Sequence, residues 1–167
     1  LAAVREAHPD RNLYFTEQWT ASSGSFGGDL AWHTENVTIG AANNWARAVI
    51  EWNLATDASF GPHTSGGCTQ CQGALTVSGG AYARNVSYYI VAHLAKFVRP
   101  GALRVGTSST SSNLVSVGFV NDRTAGGARA LVVLNKGATV QSFNISYGGK
   151  IVSVRLNAGA VATYLWY

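Results

Sequence analysis

The spacing of apolar and polar residues changes near residue 100. Beyond Gly101, apolar residues recur at every second position, in short runs separated by Gly, Asn and Ser. A period of two is typical of strands with one packed face and one wet face. The pattern predicts a small antiparallel β-sandwich over residues 101–167, with six strands: Leu103–Gly106, Leu114–Val120, Ala130–Leu134, Ser142–Ser146, Ile151–Leu156 and Ala160–Trp166.

The first hundred residues instead alternate strand-like and helix-like segments. Residues 85–98 place apolar groups at i, i+3, i+4 and i+7 and are followed by Pro100-Gly101, so we predict a helix that stops there. Leu13–Thr16 and Thr76–Val77 have the composition of short strands. An α/β arrangement is therefore expected over residues 1–100.

Three other stretches of this first part are assigned from weaker patterns. Asn36–Val49 carries apolar or small residues at helical spacing after a long Gly/Ser loop, so a helix with Trp45 in the core is predicted. Residues 48–54 fit either a helix end or a strand. A glycine-rich loop is predicted over residues 61–73.

Composition indicates an ordered chain: 47% of the 167 residues are apolar and only 12% are charged. Seven of the eight acidic residues lie in positions 1–57 with three basic ones, a net charge of −4, whereas residues 58–167 carry one acid and nine Lys or Arg, a net charge of +8. Those basic residues are scattered singly, so we expect a solvated face and no nucleic-acid partner. No apolar run approaches the roughly 20 residues of a membrane span.

The run Leu13-Tyr14-Phe15-Thr16-Glu17-Gln18 is apolar and β-prone, and it ends on a carboxylate. A glutamate at the tip of a buried strand is well placed to act on a bound ligand as nucleophile, acid or base. The alternative is a strand that simply ends, with Glu17 pointing into water.

Cys68 and Cys71 form a C-x-x-C motif flanked by glycines. A zinc site needs about four ligands, and the sequence offers no second pair or histidine cluster, so no metal is expected. A thioredoxin-like motif normally opens a helix, whereas the glycines favour a loop. A local disulfide formed in an oxidising compartment is the favoured interpretation.

The remaining chemistry-bearing residues are carboxylates and tryptophans. The sequence has no G-x-S-x-G, no P-loop and no G-x-G-x-x-G after a strand, and His93 fits a core position better than a ligand position. Trp19, Trp32 and Trp52 lie near acids in the sequence. An aromatic ring packs on the apolar face of a pyranose, and carboxyl groups act on the glycosidic oxygen and the anomeric carbon, so this composition favours a sugar site.

Several separate stretches together resemble glycoside hydrolase family 30, the family of lysosomal glucosylceramidase and of microbial endo-β-1,6-glucanases. The resemblance covers nearly the whole chain in order. It rests on residues 13–19 (LYFTEQW), 49–55 (VIEWNLA), the Cys loop 64–73, 88–101 (YYIVAHLAKFVRPG) and 160–166 (AVATYLW).

This resemblance implies that residues 1–100 are the last strands and helices of a (β/α)8 barrel, with a β-sandwich over 101–167. It implies hydrolysis of β-glycosides with retention, Glu17 being the nucleophile at the tip of barrel strand seven. Trp52 would line the sugar pocket from the strand-eight segment, and we expect Trp19 and Asn53 to bind substrate as well. No cofactor or metal is implied.

The sequence departs from the family at one essential point. Retention needs a second carboxyl group, about 5–5.5 Å from the nucleophile. In the family this acid/base follows an Asn, and no Asn-Glu pair occurs in these 167 residues. The chain also begins at Leu1 without a methionine. We therefore expect the front of a longer protein to be missing and this chain alone to be inactive.

Two functional hypotheses follow. The first is the C-terminal part of a retaining β-glycosidase acting on glucosylceramide-like β-glucosides or β-1,6-glucan, with the missing N-terminal half of the barrel as its partner. The second is a non-catalytic carbohydrate-binding or structural fragment that oligomerises, a second copy of the chain covering its exposed strands. A secreted or extracytoplasmic location is expected from the Cys pair and the family.

Overall fold

The computed structural model describes residues 1–122 and 127–167. The chain divides into two compact units, Leu1–Lys96 and Phe97–Tyr167, and each is described by itself. No helix in the described ranges is long and apolar enough to cross a membrane.

The first unit consists of short elements. In chain order they are α1 (Ala2–Ala7), β1 (Leu13–Phe15), β2 (Thr20–Ala21), α2 (Phe26–His33), a π-helical segment (Thr34–Ile39), α3 (Gly40–Asn43), β3 (Ala46–Val49), β4 (Ala55–Thr56), β5 (Cys71–Gln72), β6 (Leu75–Ser78), β7 (Ala81–Arg84) and α4 (Val86–Ala95).

A β–α–β unit organises the front of this first unit. Strands β1 and β3 pair in parallel, with Leu13 opposite Ala46 and Phe15 opposite Val49. The helical run from Phe26 to Asn43 connects them, as a parallel pair requires. Its start is fixed by Ser25, whose hydroxyl accepts a hydrogen bond from the Gly28 backbone N–H at 3.2 Å.

The predicted helix Asn36–Val49 is wrong at both ends. The helical run begins earlier, at Phe26, inside the expected Gly/Ser loop, because Ser25 caps it. It ends at Asn43, and Ala46–Val49 is a strand. Trp45 sits in the turn with φ 64° and is 46% exposed, so its predicted place in the core is also wrong.

Two smaller sheets complete the first unit. Strand β2 pairs with β5, and β4, β6 and β7 form a three-stranded sheet in which β4 and β6 are parallel and β6 and β7 are antiparallel. For residues 48–54 the sequence allowed either a helix end or a strand. In the structure this segment contains the end of β3 and, at Trp52, a single parallel bridge to Trp19. The buried apolar side chains of the unit are Leu13, Val37, Ile39, Ala41, Ala42, Cys71, Val86 and Ile90.

The second unit is built of longer strands. They are β8 (Leu103–Val105), β9 (Leu114–Val120), β10 (Arg129–Asn135), β11 (Gln141–Tyr147), β12 (Lys150–Leu156) and β13 (Val161–Trp166). A four-stranded antiparallel sheet has the order β13-β10-β9-β8, and β11 and β12 form a separate hairpin. The predicted antiparallel β domain is confirmed.

The core of the second unit lies between the four-stranded sheet and the hairpin. Leu114, Val133 and Leu156 form its buried centre, and Phe143 and Tyr164 pack against it. On β10, however, both Val132 and its neighbour Val133 are buried, so the expectation of one wet face fails for this central strand. It holds for β11, where half-buried and exposed residues alternate.

Asn135, at the end of β10, is fully buried and joins three segments. Its side-chain N–H groups donate to the carbonyl oxygens of Thr139, Leu156 and Asn157 at 2.8–3.0 Å. Its side-chain oxygen accepts from the Gly137 N–H at 3.0 Å. One fully buried amide thus has its own polar atoms satisfied and connects the end of β10 to backbone groups of two other segments.

The β11–β12 hairpin closes through a two-residue loop. Tyr147 pairs with Lys150, and Gly148 and Gly149 between them have φ of 56° and 77°. This loop needs positive φ at both central positions, which glycine adopts without strain. The resulting register pairs Phe143 with Val154.

Candidate functional site

Glu17 lies just beyond the carboxyl end of β1 and is exposed. The backbone beyond β1 continues alongside the segment that follows β3. The Ile50 N–H donates to the Phe15 carbonyl at 3.0 Å, and the Trp52 N–H donates to the Gln18 carbonyl at 2.6 Å. Since the two segments run in parallel, residues that follow each strand meet at one edge.

Two exposed indole rings share this edge with Glu17. Trp19 and Trp52 form a parallel bridge and are 40% and 48% exposed. Large aromatic side chains are normally buried for most of their surface, so such exposure is typical of a binding surface. The structure thus brings together Glu17, Trp19 and Trp52, three of the residues selected from the sequence.

Asn53 follows Trp52 through a cis peptide bond and is half-buried. Its backbone carbonyl accepts from the Ala74 N–H at 2.8 Å. Its side-chain oxygen is buried without a hydrogen-bond partner in the described part of the chain. A Cβ at Gly73 would lie 2.7 Å from that oxygen, so glycine is needed there for the close approach.

Cys68 and Cys71 are joined by a disulfide. The loop they close is held next to Trp19, because Thr20 pairs with Gln72 and the Ser22 N–H donates to the Gln70 carbonyl at 2.9 Å. In the ranges that the structure describes, no three His, Cys, Asp or Glu side chains are grouped to hold a metal ion.

Sequence reasoning missed a buried pair below this edge. Nδ1 of His33, in the last turn of α2, lies 2.8 Å from Oε1 of Glu51, and their side chains are only 6% and 4% exposed. Oε2 of Glu51 has no hydrogen-bond partner among the described residues. Glu51 directly precedes Trp52, so the pair ties the helix after Glu17 to the segment that carries Trp52.

The pair had one weak signal in the sequence: Glu51 is a charge inside the apolar run of residues 49–54. A buried carboxylate needs a partner, but nothing in the sequence identifies His33, 18 positions away, as that partner.

His93, on α4, is half-buried, and burial lowers its pKa below the usual 6.5. Its neutral form is therefore favoured.

The comparisons with known proteins agree on one family. Residues 101–164 match the Glycosyl hydrolase family 30 beta sandwich domain. The chain is 37% identical to an endo-1,6-beta-D-glucanase of Aspergillus fumigatus, over 81% of this chain and 27% of that protein. It is 33% identical to an endo-1,6-beta-D-glucanase of Neurospora crassa, over 100% of this chain and 34% of that protein.

More distant similarity extends to a glucosylceramidase-like protein of Caenorhabditis elegans, 28% identical over 87% of this chain and 29% of that protein. Among solved structures, an endo-beta1,6-glucanase has a TM-score of 0.88 and 32% identity, covering 99% of this chain and 37% of its own. The family 30 endoxylanase of Clostridium papyrosolvens, at 17% identity and a TM-score of 0.69, covers 96% of this chain and 43% of its own and shares the fold alone.

The second unit is therefore the β-sandwich domain of a glycosidase family. The chain belongs to glycoside hydrolase family 30, as the resemblance in its sequence implied. It spans 27% and 34% of the length of the two endo-1,6-beta-D-glucanases described above.

Proposed function

We propose that this chain is the nucleophile-bearing part of a retaining β-glycosidase that acts on β-glucosides. The observation that carries the proposal is the position of Glu17, an exposed carboxylate at the edge where Trp19 and Trp52 pair. Relatives named endo-1,6-beta-D-glucanase support the substrate class.

In this proposal β1 and β3 are strands seven and eight of a (β/α)8 barrel, and the domain boundary lies near residue 100. The parallel β1–β3 pair with a helical connection supports the assignment, since this is the repeating unit of such barrels. The other six strands belong to the missing N-terminal half. Trp52, Trp19 and Asn53 bind the sugar, the two rings packing on its apolar face.

The reaction proceeds in two displacements. A Glu17 carboxylate oxygen forms a bond to the anomeric carbon while the bond from that carbon to the leaving oxygen breaks and a second carboxylic acid protonates that oxygen. Water, deprotonated by the same second group, then attacks the anomeric carbon and releases Glu17. The second carboxyl group comes from the missing half, since the sequence has no Asn-Glu pair. No metal or cofactor takes part.

The substrate is a β-1,6-glucan or a glucosylceramide-like β-glucoside, the two classes named among the relatives. The protein acts outside the cytoplasm. The Cys68–Cys71 disulfide supports this location, because such bonds persist in oxidising compartments.

The test uses a cyclophellitol-type epoxide, which esterifies a glucosidase nucleophile, followed by intact-mass measurement and peptide mapping. The product of the complete reading frame and this 167-residue chain are labelled in parallel. We expect one adduct, on Glu17, in the complete product, lost in Glu17→Gln and kept in the matched control Glu6→Gln, an exposed glutamate of α1. An adduct on another residue, or none in the complete product, would overturn the assignment.

The alternative is a non-catalytic carbohydrate-binding or structural fragment that oligomerises. Leu54, Ile151 and Val152 favour it, because more than half of each apolar side chain is exposed. Sedimentation velocity of this chain separates the two: a stable oligomer that resists labelling favours the fragment, and a monomer contradicts it.

A further inference from the structure

A continuous row of exposed aromatic residues crosses the first unit. The rings of Phe26 and Tyr89 lie 5.6 Å apart between centroids, and those of Tyr88 and Tyr89 lie 5.3 Å apart. The Arg84 guanidinium continues the row, 4.9 Å from the centre of the Tyr88 ring and 5.7 Å from that of Tyr82. We call these five side chains the aromatic ribbon.

All four rings of the aromatic ribbon are exposed, from 36% for Tyr88 to 62% for Tyr82. A contiguous exposed apolar patch on a protein surface often marks a ligand-binding or interaction site. The ribbon also carries polar groups: three phenol hydroxyls and the guanidinium N–H donors. It therefore offers ring faces to C–H groups and hydrogen bonds to hydroxyls, but no carboxylate.

The three-stranded sheet connects the ribbon to the Trp52–Asn53 segment. Ala55, Leu75 and Arg84 lie opposite one another across β4, β6 and β7, so Arg84 is two strand spacings, about 10 Å, from Ala55. The Asn85 side chain donates to the Gly73 carbonyl at 2.8 Å. The backbone of Gly73 in turn approaches Asn53.

The helix starts place the ribbon on the same side as the candidate site. Phe26 is the first residue of α2, the helix that follows β1 and Glu17. Tyr88 and Tyr89 lie in the first turn of α4. In β/α folds the helix after a parallel strand begins at the edge where that strand ends, so Phe26 lies toward the edge of Glu17 and Trp52. The antiparallel strand β7 precedes α4, so Tyr88 and Tyr89 are placed instead by the contact of the Tyr89 ring with the Phe26 ring.

We propose that the aromatic ribbon is an extended binding surface for a polymeric β-glucan chain, next to the candidate site. The rings of the ribbon meet edge to face, at 62° between Phe26 and Tyr89 and 80° between Tyr88 and Tyr89, so their exposed surfaces can contact the apolar C–H faces of successive pyranose units at different inclinations. Arg84 binds the sugar hydroxyls. This inference rests on the proposed function only for the identity of the sugar. It makes a polysaccharide the substrate, because a glucoside with one sugar unit would leave the ribbon unused.

The test measures binding by calorimetry on this 167-residue chain, with β-1,6-linked gluco-oligosaccharides of two to eight units and maltohexaose as the α-linked comparison. We expect affinity to rise with the length of the β-linked chain. Tyr82→Ala and Phe26→Ala, at the two ends of the ribbon, each weaken binding of the longest oligomer by about tenfold and leave binding of the disaccharide unchanged. Tyr167→Ala, an exposed tyrosine of the second unit, is the matched control and has no effect.

Arg84→Lys keeps the charge but loses the flat guanidinium, so we expect a smaller loss of affinity, roughly threefold. The proposal is overturned if affinity does not depend on chain length, or if the ribbon variants bind like the unchanged chain. It is also overturned if they abolish self-association and leave glucan binding intact, because the ribbon is then a contact between copies.

Two separate measurements distinguish this inference from the proposed function. Labelling of Glu17 in the complete product tests the nucleophile, and oligosaccharide binding by the 167-residue chain tests the ribbon. Length-dependent binding with no Glu17 adduct in the complete product shows a glucan-binding surface without the proposed chemistry. An adduct on Glu17 without length-dependent binding shows the reverse.

Discussion

The two units of the chain use their apolar residues differently. In the second unit three consecutive residues of β10, Val132, Val133 and Leu134, are buried. Of the six strands in the part of this unit that the structure describes, five are six or seven residues long. In the first unit no strand exceeds four residues, and four of the five tryptophans of the chain, Trp19, Trp32, Trp45 and Trp52, are exposed.

The buried polar side chains of the two units also have different roles. In the second unit Asn135 satisfies carbonyl groups of the surrounding backbone and so stabilises the core of its own unit. In the first unit the buried His33–Glu51 pair supports a surface that displays Trp52. One unit is thus organised around its own interior and the other around an exposed edge.

The largest test of this contrast is His33→Ala, which leaves Glu51 buried without its partner. We expect a loss of about 3–5 kcal/mol of unfolding free energy, confined to the first unit. Denaturant unfolding followed by tryptophan fluorescence and by hydrogen exchange measures it. The double variant His33→Ala with Glu51→Leu is the control, because it also removes the buried carboxyl group that lost its partner and should restore most of the stability. Equal loss of protection in β9 and β10 would contradict the assignment of this pair's effect to the first unit.

Asn135→Asp tests the second unit with an isosteric change. The substitution removes the side-chain donors to three carbonyl groups and places a carboxyl group at a fully buried position, which we expect to cost about 2–4 kcal/mol. Asn144→Asp is the matched control: Asn144 is exposed, and its side-chain oxygen accepts from the Ser153 hydroxyl at 2.7 Å, as an aspartate also can. Hydrogen exchange locates the effect. A control variant as unstable as Asn135→Asp would contradict the role given to the buried amide.

Removal of the disulfide tests whether it holds the strands β2 and β5 together at the exposed edge. Cys68 and Cys71 close a loop with a sequence separation of only 3, so Cys68→Ser with Cys71→Ser should cost no more than about 2 kcal/mol. We expect faster exchange at β2 and β5, and none of this change in the second unit. The unsubstituted chain treated with a reductant is the control. Unchanged exchange at Thr20 and Gln72 would show that pairing does not depend on the disulfide.

The smallest expected effects are opposite responses to pH. Burial lowers the pKa of His93 below 6.5, so the unfolded chain binds the proton first and the first unit loses stability as pH falls through 6.5. Burial raises the pKa of Tyr164 above 10.0, so the second unit loses stability as pH rises through 10. In chemical unfolding at a series of pH values, we expect His93→Gln to reduce the acidic pH dependence of the unfolding free energy and Tyr164→Phe to reduce the alkaline one. If either pH dependence is unchanged in its variant, other titrating groups cause it.

The strands of the second unit were predictable because a period of two survives wherever one face is packed. The predicted Leu114–Val120 matches β9 residue for residue, and the other strands differ by one residue at an end or at both ends. The alternation of packed and wet faces fails on β10, where Val132 and Val133 are both buried and the sequence shows a continuous apolar run. Continuous runs predict a strand but not its environment.

The first unit was harder to predict because its signals are local and short. The start of α2 depends on the Ser25 cap, which overcomes two glycines at positions 27 and 28. The strand Ala46–Val49 follows a helix without a break in apolar spacing, so periodicity extended the helix over it. At the candidate site, Glu17 and Trp52 had sequence motifs, whereas the His33–Glu51 contact depends on tertiary packing.

The Gly148-Gly149 loop limits how the β11–β12 hairpin can vary in length among homologous chains. One residue added to a single arm would turn every side chain beyond it, Phe143 included, to the opposite face. One residue added to each arm would lengthen the ribbon of paired strands and keep the faces as they are. Insertions and deletions in this hairpin should therefore come as balanced pairs.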